Sequence, residues 1–110
     1  PKARPRVTAH GTYTPQRTKN QTEWIQTHAR EAMAGQAPMQ GPIEMKVFYY
    51  LKGEPWKRPD ILNLDMLVAD ALTGIVYEDD SQIVMMSSEK LETMKEGERT
   101  KISVLEIREV

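Results

Sequence analysis

Six acidic side chains and no basic one fall between Pro59 and Asp80, in a segment that is otherwise strongly apolar. Asp60, Asp65, Asp70, Glu78, Asp79 and Asp80 accompany Ile61, Leu64, Val68, Ala71 and Leu72, which recur at the spacing of one helix face. A solvated acidic tail has no such stripe, so this segment must fold against a core. Carboxylates concentrated beside a core-forming helix repel one another, which favours a compensating cation. The plain alternative is an acidic helix face followed by an acidic turn, both in water.

The segment reads as a helix over Ile61–Thr73, with Asp60 as N-cap and Gly74 beyond its end. At about 100° per residue, Asn63 and Asp70 lie opposite the apolar stripe, with Leu62 and Met66 next to them. Asp60 stands at a helix start and Asp80 at the start of the following strand, so a fold can bring the two together despite their separation in sequence. Asp70 lies nearly three turns beyond Asp60, roughly 15 Å along the axis, too far to share one small ion with it. Each acid also has a structural reading: Asp60 as a cap, Asp79 or Asp80 as a turn former, Asp70 as a helix-face residue.

The rest of the chain supplies a sheet and a second helix. Residues 1–12 have no helical period and alternate as an extended edge segment does. Thr14-Pro15 reads as an N-cap followed by Pro at the first helical position, and Gly35 supplies the stop. Trp24, Ile25, His28, Ala29, Ala32 and Met33 form the apolar stripe between them, with His28 read as a packed core residue. Residues 43–51 alternate as a half-buried strand, with Ile43, Met45, Val47, Tyr49 and Leu51 inward; the other face, Glu44, Lys46, Phe48 and Tyr50, turns aromatic towards its end. Residues 53–58 form a loop whose Trp56 stacks on a base or anchors the loop. Strands are expected in Ser81–Ser88, around Ile83–Met86, and over Thr100–Ile107. This order predicts one α+β domain over residues 1–110, a small mixed or antiparallel sheet with two helices.

Composition narrows the chemistry. The chain has no Cys, which removes disulfides and thiol catalysis and fits a reducing cytoplasm, and His10 and His28 lack the spacing of a zinc site. No apolar run approaches membrane-spanning length. The formal net charge is −1, but the charges are segregated: residues 1–31 hold six Lys or Arg against two Glu, while residues 59–80 hold only the six acids. A protein that holds a divalent ion against DNA needs both signs.

The order of these residues resembles the RusA-type family of Holliday junction resolvases. The family pattern runs Pro-Asp-x-Asp-Asn-Leu-x-Lys, then Asp-Ala-Leu, a Gly and an Asp-Asp-x-Gln turn. This chain matches it at Pro59, Asp60, Asn63, Leu64, Asp70, Ala71, Leu72, Gly74, Asp79, Asp80 and Gln82, and Lys2–Arg6 and Tyr13–Pro15 resemble the family's amino-terminal portion. It departs at two positions. Leu62 stands where the family has its second Asp, and Met66 where it has Lys.

The resemblance implies a RusA-like fold, with a first strand expected ahead of Pro1. It also implies a bacterial or phage-encoded, cytoplasmic, metal-dependent endodeoxyribonuclease that resolves four-way DNA junctions in recombination and repair. Asp60 and Asp80 are then metal ligands, with Asn63 and Asp70 supporting and Asp65 a substitute ligand only after a shift. An all-oxygen donor set favours Mg²⁺ or Mn²⁺ over Zn²⁺. Lys2, Arg4, Arg6, Arg17, Lys57 and Arg58 are expected to meet phosphates. A symmetrical substrate suits a homodimer, and the apolar run Ile83–Met86 gives a surface for one. Two other readings stay open: a RusA-like module that binds branched DNA but is catalytically impaired at Leu62 and Met66, and an α+β interaction domain whose acidic helix meets a protein partner.

Overall fold

The computed structural model describes residues 2–12, 18–54, 60–93 and 98–108, with backbone alone for residues 2–12, 18–20 and 108. The elements are β1 (Lys2–Thr12), α1 (Thr18–Met33), β2 (Ile43–Leu51), α2 (Ile61–Leu72), a 3₁₀ turn (Asp80–Gln82), β3 (Ile83–Glu92) and β4 (Arg99–Arg108). The four strands form one sheet in the order β1-β4-β2-β3. β4 is antiparallel to both its neighbours, whereas β2 and β3 are parallel, so the sheet is mixed. A parallel pair needs a crossover, and α2 provides it between β2 and β3. The expected α+β class and the two helices are what the structure has.

The alternation in β2 is the basis of the core. Ile43, Met45, Val47, Tyr49 and Leu51 are all fully buried. Across the antiparallel pair, Val104 stands opposite Met45 and Ile102 opposite Val47, and both are buried. The helices close over this face: Ile25, Ala29 and Met33 from α1, and Leu64, Val68, Ala71 and Leu72 from α2, belong to the same cluster. Burying each large aliphatic side chain stabilises by roughly 1.5–3 kcal/mol before entropy is counted. Among the described residues no element covers the sheet's other face. There the guanidinium of Arg99 lies over the Tyr50 ring, 3.9 Å from its centre.

α1 departs from the sequence expectation in its packing face and agrees with it at its end. The packing stripe of α1 runs Gln21, Ile25, Ala29, Met33, while Ala32 is exposed and Trp24 and His28 are only partly covered. His28 is therefore not a core residue; its ring lies against Trp24, with centroids 3.9 Å apart, and its Nδ1 is 3.7 Å from Glu31 Oε1. Residues spaced by four drift about 40° per step, so one helix buries a narrow line and leaves its flanks half covered. The Thr14-Pro15 helix start and the loop with Trp56 lie outside the described residues. The turn after α1 places Ala34 and Gly35 at positive φ, 51° and 80°, which ends the helix where Gly35 was expected to end it.

β3 is longer than the apolar run suggested and lies at the sheet's edge. Its Val84, Met85 and Met86 are 59%, 55% and 38% exposed, which excludes a strand buried on both faces within one chain.

Candidate active site

α2 starts where a carboxylate can cap it. The Oδ1 of Asp60 accepts from the backbone N–H of Leu62 at 3.2 Å, and the Asp60 carbonyl accepts from Leu64 N at 3.1 Å, opening the helix. Such a cap is worth about 1 kcal/mol, so Asp60 has a structural task whatever else it does. Its side chain is nonetheless exposed, as are Asn63 and Asp70 further along the helix.

The other end of the acidic segment is cross-bonded. The Oε1 of Gln82 accepts from the N–H groups of Glu78 and Asp79, both at 2.8 Å. Its Nε2 donates to the carbonyls of Met39 and Gly41, both at 2.9 Å. One amide thus fastens the turn to the strand-entry segment before β2. The Oδ2 of Asp79 accepts from Ser81 N at 3.0 Å, completing a capping box around the 3₁₀ turn that begins with Asp80. The Ser81 hydroxyl, and then its backbone N–H, hold the Asp79 carboxyl below the ordinary carboxylate value. Asp80 is exposed at the head of this anchored turn, three residues before β3.

Between the two ends lies a buried phenol. Tyr77 donates its hydroxyl to the Ala69 carbonyl at 2.6 Å. Burial pushes it up to about 12, with the charges of Asp80 and Asp70 adding to the effect and a hydrogen bond with Thr73 opposing it.

Asp65 is held on the other flank of α2. It accepts from the Tyr49 hydroxyl through Oδ1 and from the Ser88 hydroxyl through Oδ2, each at 2.6 Å. These bonds tie α2 to β2 and β3 and give the buried Tyr49 the partner its hydroxyl requires. To serve as a metal ligand, Asp65 would have to share or exchange these donors. Sequence reasoning missed this pairing, yet one signal was present: Tyr49 is the polar-tipped member of an otherwise apolar inward row. Ser88 carried no such signal.

The outward side of α2 is apolar at two positions. Leu62 is 67% exposed and Met66 is 65% exposed. No group of three His, Cys, Asp or Glu residues able to hold a metal occurs among the described residues. Of the basic residues expected to meet phosphates, Lys2, Arg4 and Arg6 belong to edge strand β1. Lys2 stands in register with Arg108 and Arg6 with Leu105, and the register shifts between Ala3 and Arg6. Arg17, Lys57 and Arg58 lie outside the described residues.

The family model described as Endodeoxyribonuclease RusA matches residues 1–105. The chain belongs to the RusA family. That family is one of Holliday junction resolvase-type endodeoxyribonucleases. No curated protein gives a significant match to the chain. In RusA terms, the acidic segment keeps Asp60, Asn63, Asp70, Asp80 and the Gln82 clamp, but presents Leu62 and Met66 where the sequence resemblance puts Asp and Lys. The donor set is thus short of the carboxylate set that the resemblance implies, and the described residues do not fit a three-carboxylate metal centre. Among the described residues no helix is long and apolar enough to cross a membrane.

Proposed function

We propose that this RusA-family chain recognises four-way DNA junctions and that its metal-dependent phosphodiester cleavage is impaired at Leu62 and Met66. The observation that carries the reading is that this i, i+4 pair stands outward on α2, 67% and 65% exposed. At such exposed positions an ionic pair contributes little to stability, so the fold tolerates its replacement while the site's charge is lost. Of the exposed carboxylates in the segment, Asp60 and Asp80 are the ones assigned to Mg²⁺ or Mn²⁺, with Asn63 and Asp70 supporting. Phosphate contacts are assigned to Lys2, Arg4, Arg6, Arg17, Lys57 and Arg58.

The test is a pair of assays on one synthetic four-way junction. Retardation of the junction with no cleavage in Mg²⁺ or Mn²⁺ is the expected result. Cleavage at a rate that Leu62→Asp with Met66→Lys does not raise would overturn the impairment. Failure to bind the junction at all would remove the DNA reading and leave a protein-interaction domain.

A second reading, a competent nuclease in recombination and repair, is favoured by the exposure of both Asp60 and Asp80. Magnesium is commonly held by one or two carboxylates together with substrate phosphates. For either reading we assign a homodimer in the cytoplasm of a bacterium, phage-encoded or chromosomal. Val84, Met85 and Met86 on the outer strand β3 support the dimer, since exposed Met-rich surfaces suit partner packing. A monomer in sedimentation at micromolar concentration would count against it.

A further inference from the structure

Both helices pack on one side of the sheet, and strand register fixes what the open side carries. Phe48 and Tyr50 project there from β2, opposite Lys101 and Arg99 of β4, with Lys46 one step before them. Phe48 is flanked on its other side by Glu89 of β3. We propose that this open face is a platform for an unpaired DNA strand.

Three observations support it. Phe48 and Tyr50 are only half-buried, and residues two apart on a strand stand about 6.6 Å apart on the same face, so two rings line one row. The Arg99 guanidinium lies over the Tyr50 ring at 3.9 Å, which sets a cation against the aromatic row and leaves the Phe48 ring as the one for a base to stack on. Around these rings stand Lys46, Arg99 and Lys101 against Glu89 and, at the far end of the same row, Glu44, and no ion pair joins Lys46 or Lys101 to another described residue.

Aromatic rings set among cations are how single strands are held without sequence preference, because every base has a stacking face and every phosphate a charge. The same charges argue against a second copy of the chain centred on these rings, the dimer contact proposed above lying out on β3 at Val84–Met86. A two-fold packing of this face on itself would bring the lysines of one copy towards those of the other in a region of lowered dielectric. Duplex DNA would satisfy the cations but not the rings. The choice of DNA over other polyanions rests on the function proposed above; the platform itself does not depend on whether the chain cuts.

The probe is a fluorescein-labelled oligothymidylate about 20 nucleotides long, longer than the roughly 4–16 nucleotides that one such surface covers. Binding by the full chain is followed by anisotropy over a salt series. Lys46→Gln with Lys101→Gln is expected to weaken binding and to flatten the plot of log affinity against log salt by about 1.4, two phosphate contacts at roughly 0.7 each. Phe48→Leu, which keeps apolar bulk but loses the ring, is expected to weaken binding about tenfold, within the range measured for base–aromatic stacking. Circular dichroism melts establish that each variant is folded; should Phe48→Leu fail to fold, the lysine pair decides.

Affinity and salt slope unchanged in the folded lysine variant would overturn the proposal. So would a dimer that Phe48→Leu dissociates while the oligonucleotide binds as before, since the face would then be an interface between copies. Lysine-dependent oligonucleotide binding by a chain that ignores four-way junctions would uphold the platform and reject the junction reading.

Discussion

The two ends of the acidic segment have been treated differently. In the turn at residues 78–82, a single amide, Gln82, makes four hydrogen bonds and Asp79 caps the 3₁₀ turn, so almost every polar group has a fixed task. On the outward side of α2, Leu62 and Met66 stand in water with 67% and 65% of their surface exposed. The turn matches the family pattern at residues that the fold bonds in place, whereas the two departures from that pattern fall on an exposed helix face where no hydrogen bond of the fold is lost.

The largest expected effect tests the helix end. Leu62→Asp with Met66→Lys should raise Mg²⁺-dependent junction cleavage by about 10²-fold or more. The carboxylate returns a ligand, and the ammonium supplies charge stabilisation of the magnitude seen for single preorganised donors. Leu62→Asp alone should restore less. Thermal stability of the double variant should stay within about 0.5 kcal/mol of the parent, as for other exposed substitutions. A large loss of stability would break the comparison, because the apolar pair would then be structural.

The turn end should show the opposite signature. Gln82→Ala removes all four bonds of the clamp and leaves backbone groups of Met39 and Gly41 without it, so a loss of roughly 2–4 kcal/mol is expected in urea unfolding. A variant as stable as the parent would mean that water replaces the amide and that the turn is no more fixed than the helix face.

Asp65 lies between these extremes. Tyr49→Phe keeps the ring in the core and deletes one of the two hydroxyl donors to its carboxylate, which should destabilise by about 1–2 kcal/mol. If instead Tyr49→Phe frees Asp65 to bind metal, cleavage would rise in the unmodified Leu62, Met66 background. No such rise is expected while Ser88 still holds Oδ2.

The smallest effect is a pH dependence of the turn. Asp79 is lowered from 3.8 in the folded chain, so its contribution is present above that value and is lost as pH falls below it through the folded-state value. Asp79→Asn keeps a capping oxygen without a titrating charge. Urea midpoints of parent and variant should therefore run parallel above pH 5, and below about pH 4 the parent's midpoint should fall relative to the variant's. Parallel curves down to pH 2 would show that the charge on Asp79 does not matter to the turn.

Much of this was readable from residue order. The strict alternation of residues 43–51 gave β2 with its inward face, because a side-chain period of two admits one register against a core. The helical stripe from Ile61 to Leu72, with Asp60 before it and Gly74 after it, gave α2 and its cap, since periodicity and capping are local physics. Leu62 and Met66 followed as outward residues from the same wheel. His28 did not follow: a stripe read from spacing alone cannot say which of its flanks the neighbouring layer covers.

By itself, then, the sequence determined the elements, the inward row of the sheet, the helix cap and the two family positions that had become apolar. Only the tertiary structure decided that β3 is an outer strand with Val84 and Met85 in water, that Gln82 clamps the turn to Met39 and Gly41, and that Asp65 belongs to Tyr49 and Ser88. The reason is one of range. Periodicity, capping and turn chemistry act over a few neighbouring residues, whereas these pairings join groups 16 to 43 positions apart, and which of many hydroxyls meets a carboxylate is set by how the layers pack.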